Sequence, residues 1–551
     1  MTEQTKETTA FPQLSAEQIA LLADQAKVVE YAPGEVLFHE GESDFGFFVI
    51  TAGAVRVVET SSGQEREVTV HQPGEFTGDI DMLTGQRSLL TAIAAKPTTM
   101  LRIDAEKLRE IIRSHSVLGD VILEAFLMRR TLLEESDFVG VRVIGSRWVR
   151  DTFRIRDFLA GHHIPFTWLD LEREPGVDKL LHHLGIHPEE TPIVLWSDSP
   201  PLRNPSNQQL AEIIGLNTHL EENEIYDLVV VGAGPAGLAA AVYGASEGLK
   251  TVVLEKDAPG GQASWSSKIE NYLGFPTGLS GAELAQRAVV QAEKFGVQLI
   301  TPCQAAGLTA KGRLKLVTMA DGEQIRTRTV VIATGAAYRR LSIQNLEQYE
   351  GSSVFYSATG VEAILCHENE VAVVGGGNSA GQAAVFLSEY AQHVHVFIRS
   401  ASLSTSMSRY LIRRIEEAKN IHLHPHTEVT ALQGDTELET ITVRNTETGA
   451  TEAYDTNLLF VFIGAKPHTA WLDHAVALDE KGFIKTGEMV GTFATDQPGA
   501  TRPARRPYLL ETSMPGVFAV GDVRANSIKR VASAVGEGSM AIQFIHQVLS
   551  T

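Results

Sequence analysis

The chain has 551 residues, 43% of them apolar and 21% charged, with a formal net charge of −21. That length exceeds what one core fills and predicts three or four domains of ordinary soluble composition. The acidic balance excludes the basic footprint of a nucleic-acid binder, and no apolar run reaches the ~18 residues of a membrane helix.

The polar opening MTEQTKETTA lacks the apolar segment of a secretory signal. To about residue 137, apolar runs then alternate with Gly and Pro turns, as in YAPGEVLFHEGE, FGFFVITAGAVRVVET and REVTVHQPGEFTGD. From DAEKLREII to LLEE, apolar residues recur every three or four positions, predicting a helix. The expected architecture of 1–137 is a β-barrel followed by a helix. These residues resemble a cyclic-nucleotide-binding domain, down to the PGE…EG hairpin and the GEFTGDIDMLTG loop. The resemblance implies a phosphate cassette, with N–H groups at a helix start on the phosphate, an Arg on its charge and a Glu on the ribose. This chain departs from that pattern. Asp79 stands for the Glu, Ser88 for the Arg and Leu90 for a small residue, while Arg87 comes one place early. A degenerate module, used for dimerisation or another ligand, is the expectation. The helix-turn-helix that often accompanies such domains is missing, which argues against a transcription factor.

From 138 to 220, strand candidates VRVIGS, FTWLDLE and TPIVLW alternate with helix candidates RIRDFLAGH, VDKLLHHLG and NQQLAEIIG. The βαβ opening and Thr191-Pro192 before a strand resemble a glutaredoxin-like domain, in which that proline is typically cis. Where glutaredoxins carry cysteine, this chain has SRWVRDT. Thiol chemistry is therefore excluded in this segment, and a scaffold or docking surface is expected.

From 224 the sequence turns specific. A strand, EIYDLVVV, leads into Gly232-Ala-Gly234-Pro235-Ala236-Gly237 and a helix. Such glycines allow a tight turn and close approach of a pyrophosphate to the helix N-terminus. The next strand, KTVVLEK, carries Glu255 eighteen residues past Gly237, where a carboxylate suits ribose hydroxyls. A second copy, EVAVVGGGNSAGQAAVFLSEY, places Gly375, Gly377 and Ala380 at the fingerprint positions, with Asn378 and Ser379 between. Its following strand ends near Arg399, a cation suited to a 2′-phosphate and hence to NADPH over NADH. Ser400 and Arg409 are weaker candidates for the same phosphate.

The stretches GGQASWSSKIENYLGFPTG, VVIATGA and GVFAVGDVRANSIKRVASAVGEG, with both glycine motifs, resemble the low-molecular-weight thioredoxin reductases over 224–551. That resemblance implies two Rossmann-like α/β domains: an FAD domain split into 224–342 and 468–551, and an NADPH domain at 343–467. It further implies that Gly261, Gln262, Asn271, Ala333, Thr334 and Gly335 line the FAD. Gly521 and Asp522 would meet the ribityl chain, and Arg530, Val531 and Ala532 the isoalloxazine edge.

The family's C-x-x-C is absent. Its place reads FYSATGVEAILC, with Ser357 and Gly360 at the two sulfur positions. A serine hydroxyl has no disulfide state, so no catalytic residue is assigned there. Only two cysteines exist, Cys303 and Cys366, far apart and without metal-type spacing, which fits a reducing cytoplasm. Both are expected to be structural. HLHPH puts His422, His424 and His426 at strand spacing, an exposed strand in preference to a metal site. The expected protein is a cytoplasmic homodimer that passes hydride from NADPH to FAD and then electrons directly to an external acceptor, a small molecule or redox protein. A flavin-binding sensor without turnover, and a thioredoxin-disulfide reductase using an unrecognised thiol, stay open as alternatives.

Overall fold

The computed structural model describes residues 3–550 apart from 44, 61–64, 137–139, 147–148, 175, 197–198, 217, 219, 221–223, 266–268, 270–271, 351–352, 357, 359–364, 368, 436 and 494–504. The first unit has two antiparallel sheets. One orders Lys27–Tyr31, Thr98–Ile103 and Phe47–Ala52; the other orders Val36–Phe38, Thr91–Ala94, Val55–Glu59 and Arg66–His71. Its core stacks Phe47 on Phe76 at 5.2 Å and both against Phe126 of the following helix. The predicted single helix divides into Ala105–Ser114 and Ser116–Glu135, because His115 (φ −123°, ψ 81°) leaves helical geometry.

In the second unit the sheet order is Leu202–Arg203, Ile193–Trp196, Val141–Gly145, Phe166–Asp170. The pair Val141–Gly145 and Phe166–Asp170 is parallel, as a strand–helix–strand crossover requires. Helix Arg150–Gly161 supplies the crossover, and Thr191-Pro192 is cis. Ser206 caps the last helix, Asn207–Ile214, by accepting the Gln209 N–H while Gln209 bonds back.

Strands Gln298–Ile300, Thr251–Leu254, Ile225–Val231 and Gln324–Ile332 lie side by side and parallel in a seven-stranded sheet. Their near-continuous Val, Ile and Leu runs reflect burial on both faces. From almost two hundred residues later, Val517–Ala519 returns to pair in parallel with Val330–Ile332. A second parallel sheet orders Val354–Phe355, Leu458–Val461, Glu370–Val374, His393–Phe397 and Ile421–His424. Two short antiparallel strands, Ala336–Tyr338 and Ala465–Pro467, join these two α/β units. No described helix is long and apolar enough to cross a membrane.

Candidate dinucleotide sites

The C-terminal ends of parallel strands form the edge at which doubly wound sheets bind ligands. Val231, Leu254, Ile332 and Ala519 end four such strands side by side. Strand Ile225–Val231 turns at Gly232 and enters helix Pro235–Ser246, with Gly234 at the N-cap and Pro235 at the first position. Proline suits that place because its missing N–H has no helical partner to lose. A Cβ on Gly237 would lie 1.8 Å from the Gly232 carbonyl oxygen, so the turn closes only on glycine. Helix Val531–Leu549 packs equally tightly behind it, where a Cβ on Gly538 would lie 2.2 Å from Ala236 O.

Glu255 follows strand Thr251–Leu254 and accepts the Ala233 N–H at 2.6 Å and the Asp257 N–H at 3.0 Å. Burial raises its carboxyl above the ordinary range, while these backbone bonds oppose the shift. The Gly260 N–H donates to Ala233 O at 2.8 Å, which holds Gly261 beside Gly234, and the exposed Gln262 follows. Ala333 N–H donates to Val231 O at 2.8 Å, and the Thr334 hydroxyl donates to His468 O at 2.8 Å. Gly335 O accepts the His468 N–H at 3.1 Å.

From the other end of the chain, Gly521 N–H donates to Glu537 Oε2 at 2.8 Å, and Glu537 also pairs with Arg524. Asp522 comes next, half-buried, its carboxyl raised by burial; Lys529 donates to its backbone carbonyl. Exposed Arg530 is the N-cap of helix Val531–Leu549, whose first turn holds Val531 and Ala532. The expected Asn271 lies outside the described residues. The glycine turn, the half-buried carboxylate and Asp522 at one sheet edge fit a dinucleotide with a pyrophosphate and two polyols.

The second turn repeats the plan. Gly375 has φ +141°, and a Cβ there would lie 2.3 Å from Phe462 O. Gly377 is the N-cap of helix Asn378–Leu387, and open space surrounds it. Exposed Ser379 follows, and Ala380 is fully buried. Asn378 Oδ1 accepts the Ser408 N–H at 2.7 Å and Ser406 Oγ donates to Gly376 O at 2.8 Å, so the serine-rich loop folds onto the turn. Arg399 stands exposed beyond strand His393–Phe397, and Arg409 opens helix Arg409–Glu417. Neither makes an ion pair among the described residues. Ser400 spends its hydroxyl on Ser402 O at 2.9 Å.

Ser357 and Gly360 lie outside the described residues. Just before them, Tyr356 donates to the Glu350 carboxylate and lies parallel to Tyr338, ring centres 6.2 Å apart. Cys303 sits 3.1 Å from Met319 Sδ, and burial pushes its thiol up to about 12. A thiol so raised is protonated at neutral pH and a poor nucleophile. Cys366 is fully buried in the core around Val371 and Val373, and neither cysteine is in a disulfide.

Strand Ile421–His424 lies at the sheet edge. His422 and His424 face two histidines the sequence pattern did not single out. His422 Nε2 is 3.0 Å from His393 Nδ1, and His424 Nε2 is 3.0 Å from His395 Nδ1. His426 leaves this row at φ +55° and faces Glu447. Among the described residues no His, Cys, Asp and Glu group is arranged to hold a metal ion.

In the first unit's cassette loop, Asp79 Oδ1 accepts the Asp81 N–H at 3.0 Å. Arg130, from helix Ser116–Glu135, reaches both carboxylates, Asp81 at 2.5 Å and Asp79 at 3.3 Å. Ser88 spends its hydroxyl on Leu90 O, and Arg87 turns to Gly41 O at 3.4 Å while its N–H donates to Ile214 O of the second unit.

A family model described as pyridine nucleotide-disulphide oxidoreductase matches residues 226–538. A cyclic nucleotide-binding domain model matches residues 28–115. The thioredoxin reductase of Mycoplasmopsis pulmonis is 31% identical over 323 residues, which cover 58% of this chain and 97% of that protein. The thioredoxin reductase of Bacillus subtilis is 30% identical over 329 residues, covering 59% and 95%. A crystal structure of thioredoxin reductase from Streptococcus pyogenes is 30% identical, with a TM-score of 0.48, covering 60% of this chain and 99% of that one.

Proposed function

The chain belongs to the pyridine nucleotide-disulphide oxidoreductase family, and on that premise we propose that it oxidises NADPH and hands the electrons to an external acceptor without an internal dithiol. The thioredoxin reductases of this family use FAD and NADPH, and this chain is an oxidoreductase of their type. When bound, FAD would supply the two-electron chemistry that links NADPH to the acceptor.

The residues divide the remaining work. The N–H groups at the start of helix Pro235–Ser246 receive the FAD pyrophosphate, Glu255 its ribose, Asp522 its ribityl chain. The start of helix Asn378–Leu387 receives the NADPH pyrophosphate, and Arg399 its 2′-phosphate. NADPH leaves as NADP⁺, and the acceptor gains the two electrons and the proton of the hydride together with a second proton from solvent. A cytoplasmic homodimer is part of this reading, on family resemblance.

One observation carries the departure from thiol chemistry. The whole sequence holds only Cys303 and Cys366, sixty-three positions apart, the first with a suppressed thiolate and the second in a core. Anaerobic NADPH titration tests the entry of electrons. Bleaching of the flavin band supports the reading and an unchanged spectrum defeats it. Reduction of thioredoxin at ordinary rates would defeat the exit route.

A further inference from the structure

The cysteine-free second unit meets the flavin unit at the C-terminal end of helix Arg150–Gly161, and its Leu220 also packs on that unit's core. Gly161 approaches so closely that an added Cβ would lie 2.7 Å from Ala258 Cβ. Next to it His162, 8% exposed, has its Nδ1 2.8 Å from Phe158 O and its Nε2 3.2 Å from the Thr301 hydroxyl. A carbonyl only accepts, so Nδ1 carries the proton and Nε2 is the acceptor in the neutral ring. Burial lowers this imidazole to about 4, which keeps it neutral.

Thr301, 2% exposed, has the same hydroxyl 3.1 Å from Asp257 O, so its one proton is shared between that carbonyl and His162 Nε2. The Asp257 N–H donates to Glu255 Oε1 at 3.0 Å. His162, Thr301, Asp257 and Glu255 therefore form one chain of polar contacts running from the second unit to the carboxylate beside the first glycine turn. The turn is held on its other side too, where Arg130 of the first unit donates to His163 O at 3.1 Å.

We propose that the second unit is a clamp on the adenosine end of the flavin site, with His162 as the positioning residue that fixes the Asp257–Pro259 turn and through it Glu255. The proposal rests on the assignment of FAD to the first turn. It gives a unit without thiols a task in retaining the cofactor, and it requires no redox step there. Fixing the ribose carboxylate in advance removes an ordering cost from binding.

The test is FAD rebinding to the full chain stripped of flavin, followed by quenching of flavin fluorescence. His162→Ala and Thr301→Val are each expected to weaken FAD about 5- to 10-fold, as the loss of one buried hydrogen-bond relay implies. The double variant should be little worse than either single one, since both cut the same chain. His162→Gln, which keeps a polar group toward Thr301, should recover most of the affinity. At saturating FAD, bleaching by NADPH should match the parent in all variants. Circular dichroism of the stripped proteins monitors folding; if His162→Ala is unfolded, the near-isosteric Thr301→Val decides. FAD affinity within twofold of the parent in the folded variants overturns the clamp, as does His162→Gln behaving like His162→Ala. A parent that takes up no FAD overturns the oxidoreductase reading itself, so the two failures are distinct.

Discussion

Arg130 and Asp81 form a buried ion pair, 2.5 Å apart, inside the loop that in cyclic-nucleotide-binding domains cradles a phosphate. Asp79 joins it at 3.3 Å, so the guanidinium is neutralised by the chain's own carboxylates. Ser88, at the position of the family's arginine, turns its hydroxyl to Leu90 O. A cyclic phosphate would meet these carboxylates, with Arg87 turned toward Gly41 O. Titration calorimetry with cyclic AMP or cyclic GMP at 1 mM, the level of a binding energy near 4 kcal/mol, should show no binding heat. A saturable signal would contradict this.

The same pair makes a stability prediction. Asp81→Ala strands the Arg130 charge in a dry site, at a cost of about 3–5 kcal/mol. The first transition in urea unfolding should move to lower denaturant. An unmoved midpoint would mean that Asp79 alone satisfies the guanidinium.

Glu293, on helix Gly281–Lys294, has a buried carboxyl oxygen with no hydrogen-bond partner among the described residues. Burial pushes its carboxyl from 4.5 to about 8, with Arg109 opposing the shift. The folded state thus binds a proton more tightly than the unfolded one, and stability falls as pH rises from about 4.5 through 8. Glu293→Gln removes that dependence. Its melting temperature should exceed the parent's at pH 8.5 by about 3–6 °C and converge with it near pH 5. Equal melting at both values would show that the carboxyl is hydrated.

These interior features were not legible in the sequence. Asp81 and Arg130 are forty-nine positions apart, and only the tertiary meeting of loop and helix pairs them. His393 and His395 read as ordinary strand residues until the parallel register sets His395 opposite His422. The helix break at His115 carries no proline or glycine to announce it. By contrast, both glycine turns and Glu255 stood out, because steric exclusion at a turn restricts residue type locally. The Gly237 contact with Gly232 spans only five positions. Asp522 was reached through resemblance, since the strand bringing it to the site returns from far along the chain.

Gly237→Ala tests that turn. With a Cβ placed 1.8 Å from Gly232 O, the strand–helix connection must open. The purified protein should come out colourless or insoluble. A yellow protein with normal flavin content would contradict the assignment.

Arg399→Ala tests the choice of nucleotide. Loss of a charge-assisted contact to a 2′-phosphate is worth about 1.5–3 kcal/mol, or roughly 10- to 100-fold in KM for NADPH. KM for NADH should barely change, and Arg409→Ala should give a smaller effect of the same sign. Equal losses with both nucleotides would mean Arg399 supports the fold and does not read the phosphate.

The most direct measurement is steady-state NADPH oxidation with a quinone acceptor by a chain without sulfhydryls, Cys303→Ser combined with Cys366→Ala. Electrons that leave without a thiol predict kcat within about twofold of the parent, since neither side chain takes part and ~0.4 kcal/mol separates such rates. A tenfold or greater loss in a folded, flavin-loaded double variant would contradict the account.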